Sequence, residues 1–124
     1  KAGRDGSGKC DAFETGRVDD GVWGVLYRID LSERVHLDLA EGLGHGYEHK
    51  RVQVQTAAGS VAAGVYHATH IDASLSPFDW YLAYVQHGAR EHGLPASYQR
   101  ELARIRAVED ADAQRRQLNL AVLA

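Results

Sequence analysis

The spacing of apolar residues changes near residue 76 of this 124-residue chain. Before that point, "YEHKRVQVQTAAGSVAAGVYHAT" alternates polar residues with Val52 and Val54, and an extended pattern resumes over residues 61–69. Alternation of this kind is typical of β-strands with one buried face. Gly59 and Ser60 mark a turn between the two halves, so the segment predicts a β-hairpin.

The chain after residue 76 has the period of α-helices instead. Ser76 and Pro77 suit a helix start as N-cap and first helical residue, and Gly93 suits its end. A second helix is predicted after Pro95 and a third within residues 109–124. The apolar residues at helical spacing are Phe78, Tyr81, Leu82, Val85 and Ala89 in the first helix, and Tyr98, Leu102 and Ile105 in the second.

Two further elements are predicted before the hairpin. "VWGVLYRID", residues 22–30, is rich in β-branched and aromatic residues, which favours a buried strand. Ser32 is a candidate N-cap for a short helix over residues 33–40, and Gly42 suits its end. Strands, a short helix, a hairpin and then helices together predict an α+β fold with an antiparallel sheet.

The composition excludes several classes of protein. The chain is long enough for one domain with a core, and 44% hydrophobic with 25% charged residues is a globular composition. A net charge of −3 argues against a nucleic-acid or anionic-membrane surface, because both need a clustered positive field. No apolar run approaches the roughly 20 residues that span a bilayer. The single cysteine, Cys10, favours a reducing compartment, so we expect a cytoplasmic location.

Two motifs suggest functions that the rest of the sequence does not support. "GRDGSGKC", residues 3–10, fits a phosphate loop except that Cys10 replaces the Ser or Thr that binds Mg²⁺, and the glycines that follow forbid the long helix such a loop needs. A solvated loop is the favoured interpretation, with a nucleotide-binding switch as the alternative. Seven histidines suggest a metal site, but His67 and His70 point to opposite faces of a strand and no thiolate pair exists. We therefore predict no metal.

Glu41 is the candidate catalytic residue. It ends the short helix in "LDLAEG", where the carbonyl end of the helix carries a partial negative charge that disfavours an ionised carboxylate. Partial burial would act in the same direction, so we expect a raised pKa that suits a general base. An exposed acid at a helix end is the ordinary alternative. Asp38, one turn earlier, could pair with Glu41 but is expected to face solvent.

Tyrosines supply candidate aromatic walls for a site. Tyr84 is expected in the protein core, and Tyr27 lies in the strand that we expect to be buried. Tyr47, Tyr66 and Tyr81 could also be core residues, as aromatic stripes usually are, or could line a binding site. The residues alone leave both interpretations open.

Four stretches, taken in order, resemble the gamma-glutamylcyclotransferase family. They are "VWGVLYRID", "LDLAEG", "GYEHKRVQV" and "PFDWYLAYVQHGAREHGLPASYQREL". The strongest signals are V-W-G-V-L-Y, the E-G pair after the short helix, and "GAREHGLPASY", which reads like the family's G-A-x-E-x-G-L-P-x-x-Y signature. The resemblance extends from about Lys9 to Ile105, and the order and spacing of its parts argue against chance.

The resemblance implies a fold, a reaction and site residues. The fold would be a small, twisted, mostly antiparallel sheet, partly closed as a barrel, with flanking helices. The reaction would convert a γ-glutamyl amine, amino acid or peptide into 5-oxoproline and a free amine, with no metal or organic cofactor. The family's catalytic glutamate falls at Glu41, and its aromatic positions near the substrate match Tyr47, Tyr66 and Tyr81.

One feature of the family is missing from the sequence. The family opens with a strand and a Y-G-S-N-type loop that binds the substrate's carboxylate and donates N–H groups to the oxyanion, and no Y-G-S-N occurs here. We therefore expect residues 1–124 to form a single domain of this family that lacks its first strand and substrate-binding loop. The open sheet edge would favour a homodimer. A non-catalytic or repurposed relative, which binds a small molecule or partner protein in the same pocket, is the alternative function.

Overall fold

The structure, a computed structural model, describes residues 6–41, 47–69 and 71–124, which group into two compact units. Of the described residues, the first unit takes in those within Cys10–Asp20 and Leu26–Ile71, and the second takes in those within 6–9, Gly21–Val25 and Asp72–Ala124. The elements in chain order are a 3₁₀ turn (Leu31–Glu33), α1 (Arg34–Glu41), β1 (Tyr47–Thr56), β2 (Gly59–Ala68), α2 (Asp79–Glu91), α3 (Ala96–Ala103) and α4 (Ala113–Ala121). No helix in the described ranges is long and apolar enough to cross a membrane.

The first unit contains the hairpin that the alternating pattern predicted. β1 and β2 pair antiparallel, in register from Tyr47 opposite Ala68 to Thr56 opposite Gly59. The turn lies at residues 57 and 58, two residues before the predicted position. The Thr56 hydroxyl closes this turn by donating to the Gly59 carbonyl over 2.8 Å, and Gly59 adopts the positive φ of +117° that glycine tolerates.

The predicted strand over residues 22–30 and the partly closed barrel are both wrong for the described residues. Residues 22–30 have no regular secondary structure, and the side chains of Trp23 and Tyr27 are 55% and 69% exposed. The sheet formed by the described residues has two strands and is not closed. Side-chain composition gives a segment a preference for strand, but a strand also needs a neighbour that pairs with its backbone.

The short helix before the hairpin is confirmed. A 3₁₀ turn leads directly into α1, so helical structure covers Leu31–Glu41 rather than residues 33–40. Asp30, not Ser32, occupies the N-cap position, and its backbone carbonyl accepts from the Glu33 N–H over 2.9 Å. The start of the helix is therefore fixed by a backbone hydrogen bond instead of the predicted serine cap.

The second unit contains the three predicted helices, α2, α3 and α4. The start of α2 differs from the prediction, because Pro77 and Asp79 are both bonded to the backbone of Val108. The Val108 N–H donates to the Pro77 carbonyl over 3.0 Å, and the Asp79 N–H donates to the Val108 carbonyl over 2.8 Å. This bridge holds Phe78 in an extended conformation, so the helix begins at Asp79. The predicted end at Gly93 is confirmed, with Gly93 at φ +63° after the helix.

A buried carboxylate organises the second unit. Asp110 is 2% exposed and accepts hydrogen bonds from the Trp80 indole N–H (2.9 Å), the Asp112 N–H (2.9 Å) and the Arg115 Nε and Nη2 (2.6 Å each). A buried charge is tolerated only when it is paired and hydrogen-bonded in this way. The Arg115 guanidinium, together with the Trp80 and Asp112 donors, holds the pKa of Asp110 well below its ordinary value of 3.8.

Replacing Gly88 by Ala should stabilise the second unit by about 0.5–1 kcal/mol, because glycine inside a helix is costly relative to alanine. A Cβ at Gly88 would meet no described atom within 4 Å outside its own helix. Gly93→Ala is the matched control: the space is equally open, but the φ of +63° should make alanine cost about 1–2 kcal/mol. Urea denaturation measures both variants. A Gly88→Ala protein no more stable than wild type would contradict the helical assignment.

The Asp110 network predicts a specific loss of stability in acid. Because the native pKa of Asp110 is depressed, its contribution is complete above the ordinary value of 3.8 and is lost as the pH falls through the native pKa. The urea midpoint of wild type should therefore fall more steeply below about pH 4 than that of Asp110→Asn, which cannot titrate. The exposed neighbour Glu109 supplies the control, since Glu109→Gln should keep the wild-type slope. Parallel slopes for wild type and Asp110→Asn would refute the assignment.

Candidate functional site

A hydrogen bond joins α1 to the hairpin in the first unit. The Tyr66 hydroxyl on β2 donates to Oδ1 of Asp38 on α1. The Asp38 side chain is 22% exposed, and its other carboxylate oxygen lies 3.7 Å from Nε of Arg34, one helical turn earlier. The expectation that Asp38 faces solvent is therefore wrong. Its carboxylate links α1 to the strand of the hairpin that carries Tyr66.

The ring of Tyr66 is positioned by a second contact within the hairpin. His49 stands opposite Tyr66 in the strand register, and the two rings meet edge to face with centroids 5.1 Å apart and planes at 75°. Gly64 makes room for the imidazole, because a Cβ at Gly64 would lie 2.3 Å from the His49 Nε2. The absence of a side chain at Gly64 thus allows His49 to lie across the backbone of β2.

Tyr47 lies at the open end of the same hairpin. The Tyr47 hydroxyl donates to the Cys10 carbonyl over 2.9 Å. Ala68 pairs with Tyr47 in the strand register, and the Ala68 N–H donates to Oδ1 of Asp11 over 2.8 Å. Oδ2 of Asp11 is buried and has no hydrogen-bond partner in the described part of the chain. The loop at Cys10 and Asp11 is therefore fastened to both strands at the end where Tyr47 lies.

The structure brings two of the four predicted site residues together and describes the other two separately or only in part. Tyr47 and Tyr66 are brought together on one face of the hairpin, since Tyr66 pairs with His49, two residues after Tyr47. Glu41 is the last residue of α1, three residues after Asp38, but its side chain lies outside the described part, as do residues 42–46. Tyr81 belongs to the second unit and is described there by itself.

Tyr81 lies in the first turn of α2 among other aromatic rings. The Trp80 ring meets it nearly perpendicularly, with centroids 6.1 Å apart. The Lys9 ammonium lies 5.1 Å from the Tyr81 ring centroid and 5.8 Å from that of Phe78, close enough for cation–π attraction. Lys9 begins no helix in the structure, which removes the context that a phosphate loop requires; residues 3–5 of that motif lie outside the described residues.

The structure also tests the predictions for the other tyrosines and for the histidines. Tyr84, which is expected in the core, is half-buried: its ring packs edge-on against Trp80 at 5.6 Å, and its hydroxyl donates to the Asn119 carbonyl over 2.7 Å. Tyr27 is exposed, which contradicts its prediction as a buried residue. His70 lies outside the described residues, and among those described no three His, Cys, Asp or Glu side chains are grouped to hold a metal ion.

Sequence reasoning missed Asp38 and His49 as members of the site. Both carried a usable signal: Asp38 precedes Glu41 by three residues, and such positions share a helix face. The place of His49 opposite Tyr66 follows from the hairpin register, which a turn at residues 57–58 fixes.

Residues 21–102 match the AIG2-like family. Among curated relatives, the gamma-glutamylcyclotransferase of Bos taurus is 35% identical over 85 residues, which are 67% of this chain and 45% of that protein. The gamma-glutamylcyclotransferase of Homo sapiens is 35% identical over 95 residues, which are 75% of this chain and 48% of that protein. This chain therefore spans about half the length of the curated relatives that it matches.

Two solved structures are similar to this one. A gamma-glutamyl cyclotransferase matches with a TM-score of 0.66 and 26% identity, over 76% of this chain and 57% of that chain. A crystal structure of an uncharacterized protein from Homo sapiens matches with a TM-score of 0.57 and 29% identity, over 69% of this chain and 55% of that chain. These likenesses, with the helices and the antiparallel hairpin, confirm the predicted α+β class.

The space at Gly64 predicts how His49 responds to a new side chain. Gly64→Ala should destabilise the protein by about 1–3 kcal/mol, because its Cβ would meet the imidazole and force it to move. In a His49→Ala background the obstacle is gone, so the same change should cost nothing. Urea denaturation of the four proteins measures the difference, and an equal cost of Gly64→Ala in both backgrounds would contradict the contact.

Proposed function

This chain belongs to the AIG2-like family, and on that premise we propose that it acts as a gamma-glutamylcyclotransferase. The proposed reaction converts a γ-glutamyl amine, amino acid or peptide into 5-oxoproline and a free amine. The names and 35% identity of the curated relatives support this assignment. Because the chain covers about half of those relatives, the activity is proposed for the whole protein that carries this sequence.

The observation that carries the proposal is where α1 ends. Position 41 is the last of the helix, one turn after Asp38, whose carboxylate binds the Tyr66 hydroxyl. That contact supports a placement of position 41 beside the end of the hairpin that bears Tyr47 and Tyr66. The partial negative charge at the carbonyl end of α1 favours uptake of a proton by a carboxylate at this position. Glu41 is accordingly the proposed general acid and base.

The proposed chemistry needs one proton carrier. An α-ammonium group has no lone pair, so Glu41 takes a proton from it before the nitrogen attacks the γ-carbonyl of the same glutamyl group. A carbon–nitrogen bond forms and closes a five-membered ring. Attack leaves the ring nitrogen with one proton too many. Glu41 returns its first proton to the leaving nitrogen as the bond from that nitrogen to the γ-carbon breaks. Glu41 then takes the surplus proton from the ring nitrogen and passes it to the departing amine, which leaves as an ammonium ion. The balance is complete without a metal or an organic cofactor.

Tyr47 and Tyr66 are the proposed substrate-contacting aromatic residues of the first unit, and a substrate-binding role for Tyr81 stays a prediction of the sequence. Ring closure requires the glutamyl chain to fold back on itself, and rigid side chains around it lower the entropic cost of that conformation. The hydroxyls of Tyr47 and Tyr66 are each held by a hydrogen bond to Cys10 and Asp38. Such anchoring supports a role in holding a substrate conformer. The cytoplasmic location and the homodimer stay predictions of the sequence.

Release of 5-oxoproline from γ-glutamyl-alanine and from glutathione, followed by mass spectrometry, tests the proposal on the full-length protein. Glu41→Gln should lower kcat by about 10²–10⁴, the range that general acid–base groups contribute. Glu33→Gln is the matched control, since Glu33 is an exposed acid in the 3₁₀ turn before the same helix, and it should keep wild-type activity.

No product from either substrate, or full activity in Glu41→Gln, would contradict the proposal. Calorimetry distinguishes the alternative function. Tight binding of γ-glutamyl-alanine without turnover would favour a non-catalytic relative that binds a small molecule in the same pocket.

A further inference from the structure

The bond between Tyr66 and Asp38 has a fixed direction. An ionised carboxylate carries no proton and can only accept, so the Tyr66 hydroxyl must be the donor. Arg34 approaches the other oxygen of Asp38, Oδ2, which leaves Oδ1 to Tyr66. The Asp38 side chain is 22% exposed and Tyr66 is half-buried, so water competes weakly for this bond.

The direction of the bond restricts what the Tyr66 oxygen can do for a ligand. A tyrosine hydroxyl has one proton, and here Asp38 holds it, so a ligand that binds this oxygen must supply the hydrogen. Ammonium, amine and amide N–H groups qualify, whereas a carboxylate does not. The edge-on ring of His49 and the space at Gly64 keep the Tyr66 ring in its place on the hairpin.

We propose that Asp38 is a positioning residue that makes the Tyr66 hydroxyl an acceptor for the α-amino group of the γ-glutamyl substrate. The inference rests on the proposed function, and it assigns the amine, rather than a carboxylate, as the group that Tyr66 recognises. A neutral amine keeps two N–H bonds and one lone pair. A hydrogen bond from one N–H to the Tyr66 oxygen fixes the orientation of the amine. It therefore fixes the direction in which the lone pair of that amine attacks the γ-carbonyl.

Variants of Asp38 and Tyr66 separate this role from simple anchoring of α1. Asp38→Leu removes the acceptor, Asp38→Asn keeps an acceptor oxygen, and Tyr66→Phe removes the hydroxyl. We expect kcat/KM for γ-glutamyl-alanine to fall roughly 10-fold in Asp38→Leu and in Tyr66→Phe, with Asp38→Asn retaining more activity than Asp38→Leu. In the Tyr66→Phe background, Asp38→Leu should cause no further loss, because the two residues act through one hydroxyl.

A substrate analogue without the α-amino group provides the decisive comparison. Glutaryl-alanine cannot cyclise, so its inhibition constant reports binding alone, and it offers no amine to Tyr66. That constant should be the same in wild type, Asp38→Leu and Tyr66→Phe, whereas a merely structural role would weaken the analogue as much as the substrate. Arg34→Gln is the matched control, since it removes the partly exposed cation beside Asp38 and leaves Tyr66 in contact.

Each outcome decides the inference. Loss confined to the amine-bearing substrate supports it. Equal loss for glutaryl-alanine, or unchanged kcat/KM in Asp38→Leu with an active wild type, overturns it and leaves the proposed function standing. If wild type binds γ-glutamyl-alanine without turnover, the proposed activity fails, and the same comparison of dissociation constants by calorimetry still decides the role of Asp38. A wild type that neither binds nor converts γ-glutamyl-alanine overturns both.

Discussion

The hydrogen bond from Tyr66 to Asp38 is the interaction on which the site in the first unit depends. It joins α1 to the hairpin through residues 28 positions apart in sequence. His49 and Gly64 fix the ring on one side of the bond, and Arg34 occupies the far oxygen of Asp38. Glu41, the last residue of α1, follows Asp38 by three positions.

The two units use a carboxylate in contrasting ways. In the second unit, Asp110 is saturated by donors from Trp80, Asp112 and Arg115, so its charge serves the fold and is unavailable to a ligand. In the first unit, Asp38 is partly exposed and accepts a hydrogen bond from the Tyr66 hydroxyl. A saturated carboxylate stabilises, whereas a carboxylate that orients another group can direct chemistry.

Much of the fold could be predicted because its patterns are local. The hairpin, α1 and the three later helices follow from alternation, helical spacing and the glycine after α2. The strand over residues 22–30 could not be judged from composition, since pairing needs a neighbour. The start of α2 was displaced by a backbone bridge from Phe78 to Val108, and Asp38 was misjudged because its partner is distant in sequence. Contacts between residues distant in sequence thus account for the errors at α2 and Asp38.

We propose that Glu41 exchanges a proton with the substrate's α-amine. A crystal structure of the full-length protein with a γ-glutamyl analogue, whose amide nitrogen is replaced by carbon, tests it most directly. We expect a Glu41 carboxylate oxygen about 2.6–3.2 Å from the analogue's amino nitrogen. A Glu41 carboxylate that points into bulk water, with the amino group bound elsewhere, would contradict it.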